Sequence, residues 1–276
     1  MDGDQVFDVM ATLLSLTWKH GVTILNWLLI WNVMIEKLPG NPRIDKLRVI
    51  HIFDSLWNLS LGIIWGKRLQ QQCEKLGIIN DGQWGSRSGR VCAEVVLIKL
   101  LTYEISRLTR TDLITFDNDA KACYDRMVMA FCLLRCQQLG LPMNACVALG
   151  AFLDRAIYHL RTSMGVSEEH YQSTKSQPLH GPGQGAKNAP SFWTIVSSCI
   201  MDCLEEKFDG TTFTDPEMLM KVKRIIDGFV DDTTLWVNDF ERELNLYNTG
   251  EHRYTSSDAI RILHEMIDET SQTAQW

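Results

Sequence analysis

A chain of 276 residues, 45% hydrophobic and 22% charged, is long enough for one large or two small domains with a proper core. Its net charge of −7 argues against a generic nucleic-acid binder, yet the charge is uneven: Lys37 to Arg110 holds 12 Lys/Arg against 6 Asp/Glu, which leaves −13 for the remainder. Eight cysteines without metal-ligand spacing, and an acidic rather than basic start, offer neither a zinc-binding pattern nor a secretory leader, so disulfides are not expected.

The first apolar stretch, Gly21 to Ile35, is interrupted by Asn26 and Asn32 and preceded by Lys19 and His20. It falls short of the roughly 18 uninterrupted apolar residues that a membrane span requires. A buried helix is predicted there instead, with Trp18, Trp27 and Trp31 as packing residues, and no membrane partner is expected. Helical periodicity recurs over Leu56 to Lys75, Val91 to Arg107, Met143 to Arg161 and Ser257 to Thr273. Leu113, Ile114, Thr115 and Phe116 read as a short buried strand that ends in carboxylates, Asp117 and Asp119. From Ala120 to Leu139 the residues Cys123, Met127, Ala130, Phe131 and Leu134 recur at three and four positions, which predicts one face of an amphipathic helix. Cys132 and Cys136, like Cys199 and Cys203, are four apart and read as small buried hydrophobes on helix faces.

A polar connection from Ser163 to Asn188 ends in a glycine-rich loop, His180-Gly-Pro-Gly183-Gln184-Gly185-Ala-Lys-Asn188-Ala-Pro190. Glycines permit close approach of backbone to a ligand, and Asn188 and Pro190 mark the start of a helix carrying Phe192, Ile195, Val196, Ile200 and Leu204. The loop lacks both Gly-Lys-Ser/Thr and the dinucleotide fingerprint, so by itself it reads as an ordinary loop before a helix. His180 is the one histidine with a candidate function. Further on, Ile225, Ile226, Phe229 and Val230 precede Asp231-Asp232, and Leu235, Trp236 and Val237 follow, which predicts a β-hairpin with acids at its tip. Two adjacent like charges invite a divalent cation, although Asp is also an ordinary turn residue. Few strands, carrying the acids among many helices, give an α+β class. Separate strands aiming carboxylates at one point could hold two hard cations about 3.5 to 4 Å apart, the arrangement of in-line phosphoryl and nucleotidyl transfer.

Taken in order, these segments resemble the palm motifs of reverse transcriptases, specifically those of non-LTR retrotransposons. Asp119, Tyr124 and Asp125 match that family's first motif, an Asp followed five residues later by an aromatic and then Asp. Gln184, Gly185, Ala189 and Pro190 match its second, with Ala in place of the usual Ser. Phe229, Val230, Asp231 and Asp232 match the aromatic-x-Asp-Asp of its third, with Phe for the commoner Tyr. Upstream, Lys37 to Arg43, Lys46 to Ile52, and Gln83-Trp84-Gly85-Ser-Arg87 are similar to its fingers elements.

The resemblance implies an RNA-directed DNA polymerase domain with a right-hand palm, a small antiparallel sheet backed by helices, and a mainly helical fingers region, the thumb being absent. It implies residues 1–110 as N-terminal extension and fingers, 111–240 as palm, and 241–276 as an acidic helical tail where thumb and primer grip would otherwise follow. Asp119, Asp231 and Asp232 become the catalytic carboxylates and ligands of two Mg²⁺, with Mn²⁺ as the alternative ion. Asp117 stays open as the first ligand, because it lies two residues back on the same strand face and only the spacing to Tyr124 favours Asp119. Lys46 and Arg48 would lie over the triphosphate. Tyr124 would be the steric gate or else a core residue, and Gln184 and Gly185 would line the nucleotide pocket. RNA template, DNA primer and dNTPs are the implied partners, and the nucleus the implied location. The competing readings are a truncated fragment that at most binds nucleic acid, and another two-metal enzyme such as a nuclease.

Overall fold

A computed structural model describes residues 3–41, 43–111, 113–162, 164–208, 210–214 and 221–238. These fall into two compact units, each built from two stretches of chain: Met1–Ile78 with Ala122–Trp193, and Ile79–Lys121 with Thr194–Trp276. Each unit contains part of the motif set: Lys46, Arg48, Tyr124, Gln184 and Gly185 lie in the first, Asp119, Asp231 and Asp232 in the second. The predicted tail helix, Ser257 to Thr273, lies outside the described residues.

In the first unit, α1 (Gly3–His20) ends at Gly21, whose φ of +66° suits the left-handed position after a helix C-terminus. The expected helix from Gly21 to Ile35 is instead a 3₁₀ turn, Leu25–Leu28, leading into strand β1 (Leu29–Glu36). Aromatic and β-branched residues dominate Ile30 to Ile35, and burial alternates, with Ile30 and Asn32 both at 0% exposure. A second 3₁₀ turn, Ile44–Lys46, opens β2 (Leu47–Ile52), which runs antiparallel to β1 with Trp31 opposite Ile52. The first 110 residues are nonetheless mainly helical, as expected, with β1 and β2 the two strands among them. Asp54 caps α2 (Ser55–Leu61) by accepting from the Leu56 and Trp57 amides at 2.9 and 3.1 Å. A π-helical stretch, Gly62–Gln70, and α3 (Gln71–Lys75) continue the predicted helix.

Trp57 and Trp65, both at 0% exposure, centre the core of this unit. Trp57 stacks on Trp18 and on Trp27, with Phe152 at 4.7 Å, and Trp65 meets Phe192. Each such pair adds about 0.5–1.5 kcal/mol beyond the area it buries.

The helix predicted from Ala120 to Leu139 is broken. In the second stretch of this unit, α5 (Cys123–Arg126) is a single turn, Met127 and Val128 are extended, and α6 (Met129–Gln138) follows. Phe131 and Leu134 are exposed, while Cys123, Met127, Cys132 and Cys136 are buried. The cause is tertiary: the Met127 carbonyl accepts from the Gly181 amide at 2.8 Å, so it is engaged by a distant loop at the break. Burial pushes the Cys136 thiol far up, which makes it inert. The second cysteine pair departs from expectation, since Cys203 is exposed and Cys199 only half-buried. The run predicted as helix from Met143 to Arg161 divides into α7 (Met143–Arg155) and β4 (Ile157–Thr162). β5 (Gly165–Tyr171) occupies part of the supposed polar connection. The resulting sheet has the order β2-β1-β4-β5, with β1 and β4 parallel.

The second unit contributes α4 (Cys92–Thr109), whose first turn is closed by the Glu94 carboxylate accepting from the Val91 amide at 3.1 Å. It also holds β3 (Leu113–Asp119), and α8 (Ala189–Lys207) starts in the first unit and has most of its length in the second. β6 (Thr211–Thr214) and β7 (Lys221–Arg224) pair with each other. β8 (Ile226–Phe229) and β9 (Asp232–Asn238) form the predicted hairpin. Met201 and Leu204 of α8 pack with Ile225, Ile226, Leu235 and Val237 beneath the sheet β3-β9-β8. β3 is half-buried along most of its length rather than fully buried. Nine strands among the described residues exceed the few expected, because most of them lie away from the acids and alternate too weakly to be read.

Candidate functional site

Strand register brings the acids of the second unit together. β3 and β9 are antiparallel, and Asp119 stands directly opposite Asp232 on the last rung. Cross-strand partners lie on one face of the sheet about 4.5–5.5 Å apart at Cβ. The hairpin turns through Val230 and Asp231, between the paired residues Phe229 and Asp232, and the Ala120 amide donates to the Asp231 carbonyl at 3.0 Å. That bond ties the turn to the end of β3. Val230 has φ of +60°, an uncommon conformation for a β-branched residue and a mark of strain at the tip.

Charge follows from this crowding. Loss of hydration, then the carboxylates of Asp231, Asp119 and Asp117, push the Asp232 carboxyl above its ordinary range, while Lys99 works against them. Two rungs back, Asp117 is already engaged. Lys99 Nζ donates to its Oδ1 at 2.6 Å, and Thr234 Oγ1 donates to the same oxygen at 2.5 Å. These two bonds, the lysine first, hold Asp117 below the usual carboxylate range. Asp117 and Asp119 share a strand face, but Asp117 is matched with a lysine and Asp119 with another acid. Neither Lys99 nor Thr234 carried a signal in the sequence, since both act across the fold.

Among the described residues, no group of three or more His, Cys, Asp or Glu side chains is arranged to hold a metal ion by itself. The donor chemistry still fits a hard divalent cation: two carboxylates on one rung and a third at the adjoining turn, mutually repulsive until neutralised. Mg²⁺ is commonly held by one or two carboxylates with substrate phosphates and water completing its shell.

The first unit carries the other motif residues. Lys46 closes the 3₁₀ turn before β2, Arg48 is exposed on that strand opposite Ile35, and Tyr124 lies half-buried in α5. The glycine-rich loop departs from expectation in what its glycines approach. Gly181, Gly183 and Gly185 have φ of +75°, +82° and +121°, and a Cβ on each would collide with this chain's own atoms. Gly181 abuts the Tyr124 carbonyl, Gly183 the His51 imidazole, and Gly185 the His51 carbonyl. The His51 amide donates to the Gln184 carbonyl at 2.7 Å, and Asn58 clasps the loop from the other side, giving to the Gly185 carbonyl at 3.0 Å and accepting from the Lys187 amide at 2.8 Å. The glycines thus fasten the loop to β2, the strand that carries Arg48, and to α5, which carries Tyr124.

His51 is the residue the sequence reading missed; its only local signal was a polar side chain in the apolar run Val49 to Phe53. Its ring packs against Tyr158, and burial pulls its pKa down to about 4, so the imidazole is neutral. His180 is exposed at the loop's start. No described helix is long and apolar enough to cross a membrane.

Over 96% of its length this chain is similar in structure to apo telomerase from Candida tropicalis truncated from its C-terminal domain, with a TM-score of 0.51 at 13% identity. The fold is reverse-transcriptase-like. Telomerase from C. tropicalis and from C. albicans, each in complex with a fragment of telomeric RNA, superpose at TM-scores of 0.48 and 0.47, with 13% and 15% identity over 89% and 85% of this chain. The chain spans 41–51% of the length of these three telomerase chains. No protein-family model matches the sequence, and no curated protein matches it. At such identities the likeness is one of fold.

Proposed function

We propose that this chain is the RNA-directed DNA polymerase domain of a non-LTR-type retrotransposon, joining a dNTP to a primer 3′-hydroxyl on an RNA template. The observation that carries the reading is the β3–β9 register, which sets Asp119 opposite Asp232 with Asp231 at the adjoining turn. Asp119 and Asp231 would be the principal ligands of two Mg²⁺, or Mn²⁺ in its place, and Asp232 an auxiliary one. Asp117 is the weaker candidate, because Lys99 and Thr234 already occupy its oxygen. Bound ions of this kind lower the pKa of an attacking hydroxyl and neutralise a triphosphate.

The chain's own residues supply position and charge. The rung of Asp119 and Asp232 fixes where negative charge accumulates, and the Ala120–Asp231 bond holds the turn against β3. Arg48, with Lys46 beside it, offers cationic donors suited to phosphate oxygens. Tyr124 would crowd a ribose 2′-hydroxyl and so select dNTPs, and the pinned backbone of Gln184 and Gly185 would border the nucleotide. RNA template and DNA primer are the proposed macromolecular partners, the basic stretch from Lys37 to Arg110 favours phosphate backbones, and a nuclear location follows for such an element.

The test is primer extension on poly(rA)/oligo(dT) with dTTP and Mg²⁺, with Asp231→Asn as control. Extension by the wild-type chain and its loss in the variant is the expected result. A wild-type chain that binds the hybrid but never extends it would replace this reading with that of a nucleic-acid-binding fragment.

A further inference from the structure

The segment Gln83-Trp84-Gly85 has no part in the site described so far, yet it touches the strained tip of the acidic hairpin. Gln83 forms a parallel β-bridge with Gly228 of β8. The Trp84 amide donates to the Gly228 carbonyl at 2.7 Å, and the Gly228 amide returns a bond to the Gly82 carbonyl at 2.8 Å. Two residues on, Gly85 is buried against Val230: a Cβ there would sit 2.6 Å from Val230 Cγ2 and 2.9 Å from its Cα, closer than real Cβ contacts allow. Gly85 has an ordinary negative-φ backbone, so its lack of a side chain answers to space alone.

The same segment is anchored at its back. Gln83, at 0% exposure, donates from Nε2 to Ser197 Oγ of α8 at 2.7 Å and accepts the Gly85 amide on Oε1 at 2.9 Å. Asn80 grips α8 a turn further on, through Ser198 at 3.2 Å and Asp202 at 2.7 Å. Arg87 Nη1 closes the segment on itself by donating to the Asn80 and Gln83 carbonyls at 2.8 and 2.9 Å.

We infer that Gly82–Gly85 is a positioning strap, fastened to α8 through Gln83 and Ser197, that holds Val230 in its left-handed conformation and thereby fixes where Asp231 sits. A left-handed β-branched residue is strained and persists only where its surroundings over-determine it. The bridge at Gly228 and, two residues along, the bare face of Gly85 against Val230 supply that determination. The consequence for catalysis rests on the polymerase reading; the mechanical claim does not.

Two variants separate the claims, with Gly150→Ala as control, a helical glycine whose added Cβ would meet only the Leu133 side chain at an ordinary contact distance of 3.7 Å. Gly85→Ala drives a methyl into Val230, whereas Ser197→Ala only releases the anchor and leaves the hairpin sterically unchanged. Hydrogen exchange of the full chain is followed over residues 226–237 and over Met143–Arg155. Both variants are expected to raise exchange at the hairpin at least tenfold and leave the distant helix unchanged. Primer extension should fall at least tenfold in kcat with the dTTP KM within about twofold, and Val230→Gly added to Gly85→Ala should recover part of the loss. Unchanged hairpin exchange in Ser197→Ala overturns the strap, and this readout stands even where Gly85→Ala does not fold. Hairpin exchange that rises in a protein whose wild type never extends a primer leaves the strap intact and removes the polymerase reading instead.

Discussion

In the sheet of β3, β9 and β8 the carboxylates are placed by strand register and one turn bond, so side chains can change there while the backbone stays. The glycine-rich loop owes its course to partners far away in sequence: Asn58 lies 127 and 129 positions from the atoms it binds. One region keeps shape and risks chemistry; the other keeps chemistry only while its shape holds. Substitutions in the two should therefore fail differently, the first in kcat with a folded protein, the second in nucleotide KM and in stability.

The largest effect is expected from Asp119→Asn. On the proposed polymerase reading Asp119 would hold a metal ion, and loss of such a ligand forfeits several kcal/mol of charge stabilisation, so extension should drop by about 10³-fold or more. Thermal unfolding should hold or rise slightly, since Asp119 loads the crowded rung with negative charge. A variant that extends within tenfold of wild type would show that register alone does not define the chemistry.

Next comes Gly185→Ala. A Cβ at φ of +121° meets the His51 carbonyl and forces the loop off β2. The backbone penalty alone is about 1–3 kcal/mol, enough to lower the unfolding midpoint in urea and to raise the dTTP KM more than it lowers kcat. Equal losses in both parameters would mean that the loop and the acidic turn act as one piece, and the contrast between them would fall.

The two regions also differed in how much the sequence disclosed. The hairpin, the strand ending at Asp119 and the helix from Ala189 were legible because each is marked by neighbours in the chain: apolar runs, a tight turn, an apolar periodicity. The break at Met127 was not, since Cys123, Met127, Phe131 and Leu134 have flawless helical spacing and only the Gly181 amide on the Met127 carbonyl overrides it. β1 was misread because a short apolar run with two asparagines fits a helix face as well as a strand, and what decides it is pairing with β2 and β4. The loop glycines were seen, but their purpose was assigned to a ligand when His51 and Tyr124 are what they approach.

His51 makes the loop's dependence on shape measurable through pH. Burial lowers its folded pKa to about 4 against about 6.5 unfolded, so between those values the unfolded chain binds a proton that the native one refuses. Its contribution is complete above pH 6.5 and is lost as pH falls through 4, with a span of about 3 kcal/mol. Urea unfolding of His51→Gln from pH 7 to 4 should lack that component of the slope. A variant whose stability falls with acid as steeply as wild type would assign the effect to other groups and free the loop from its latch.

The smallest effect belongs to the pair that separates Asp117 from Asp119. Lys99 and Asp117 keep 28% and 62% of their side-chain surface exposed, so the ion pair contributes at most about 1 kcal/mol, and Lys99→Met should shift the unfolding midpoint little. Its chemical effect has a sign worth measuring. Without the ammonium the acidic rung loses its nearest opposing charge, so Mn²⁺ titrated calorimetrically should bind a few-fold tighter. In Asp117→Asn the lysine is released toward the rung of Asp119 and Asp232, so Mn²⁺ should bind weaker while extension stays within about threefold of wild type. Should Asp117→Asn abolish extension as Asp119→Asn does, the first metal ligand is the residue the lysine holds, and the register argument moves back by two rungs.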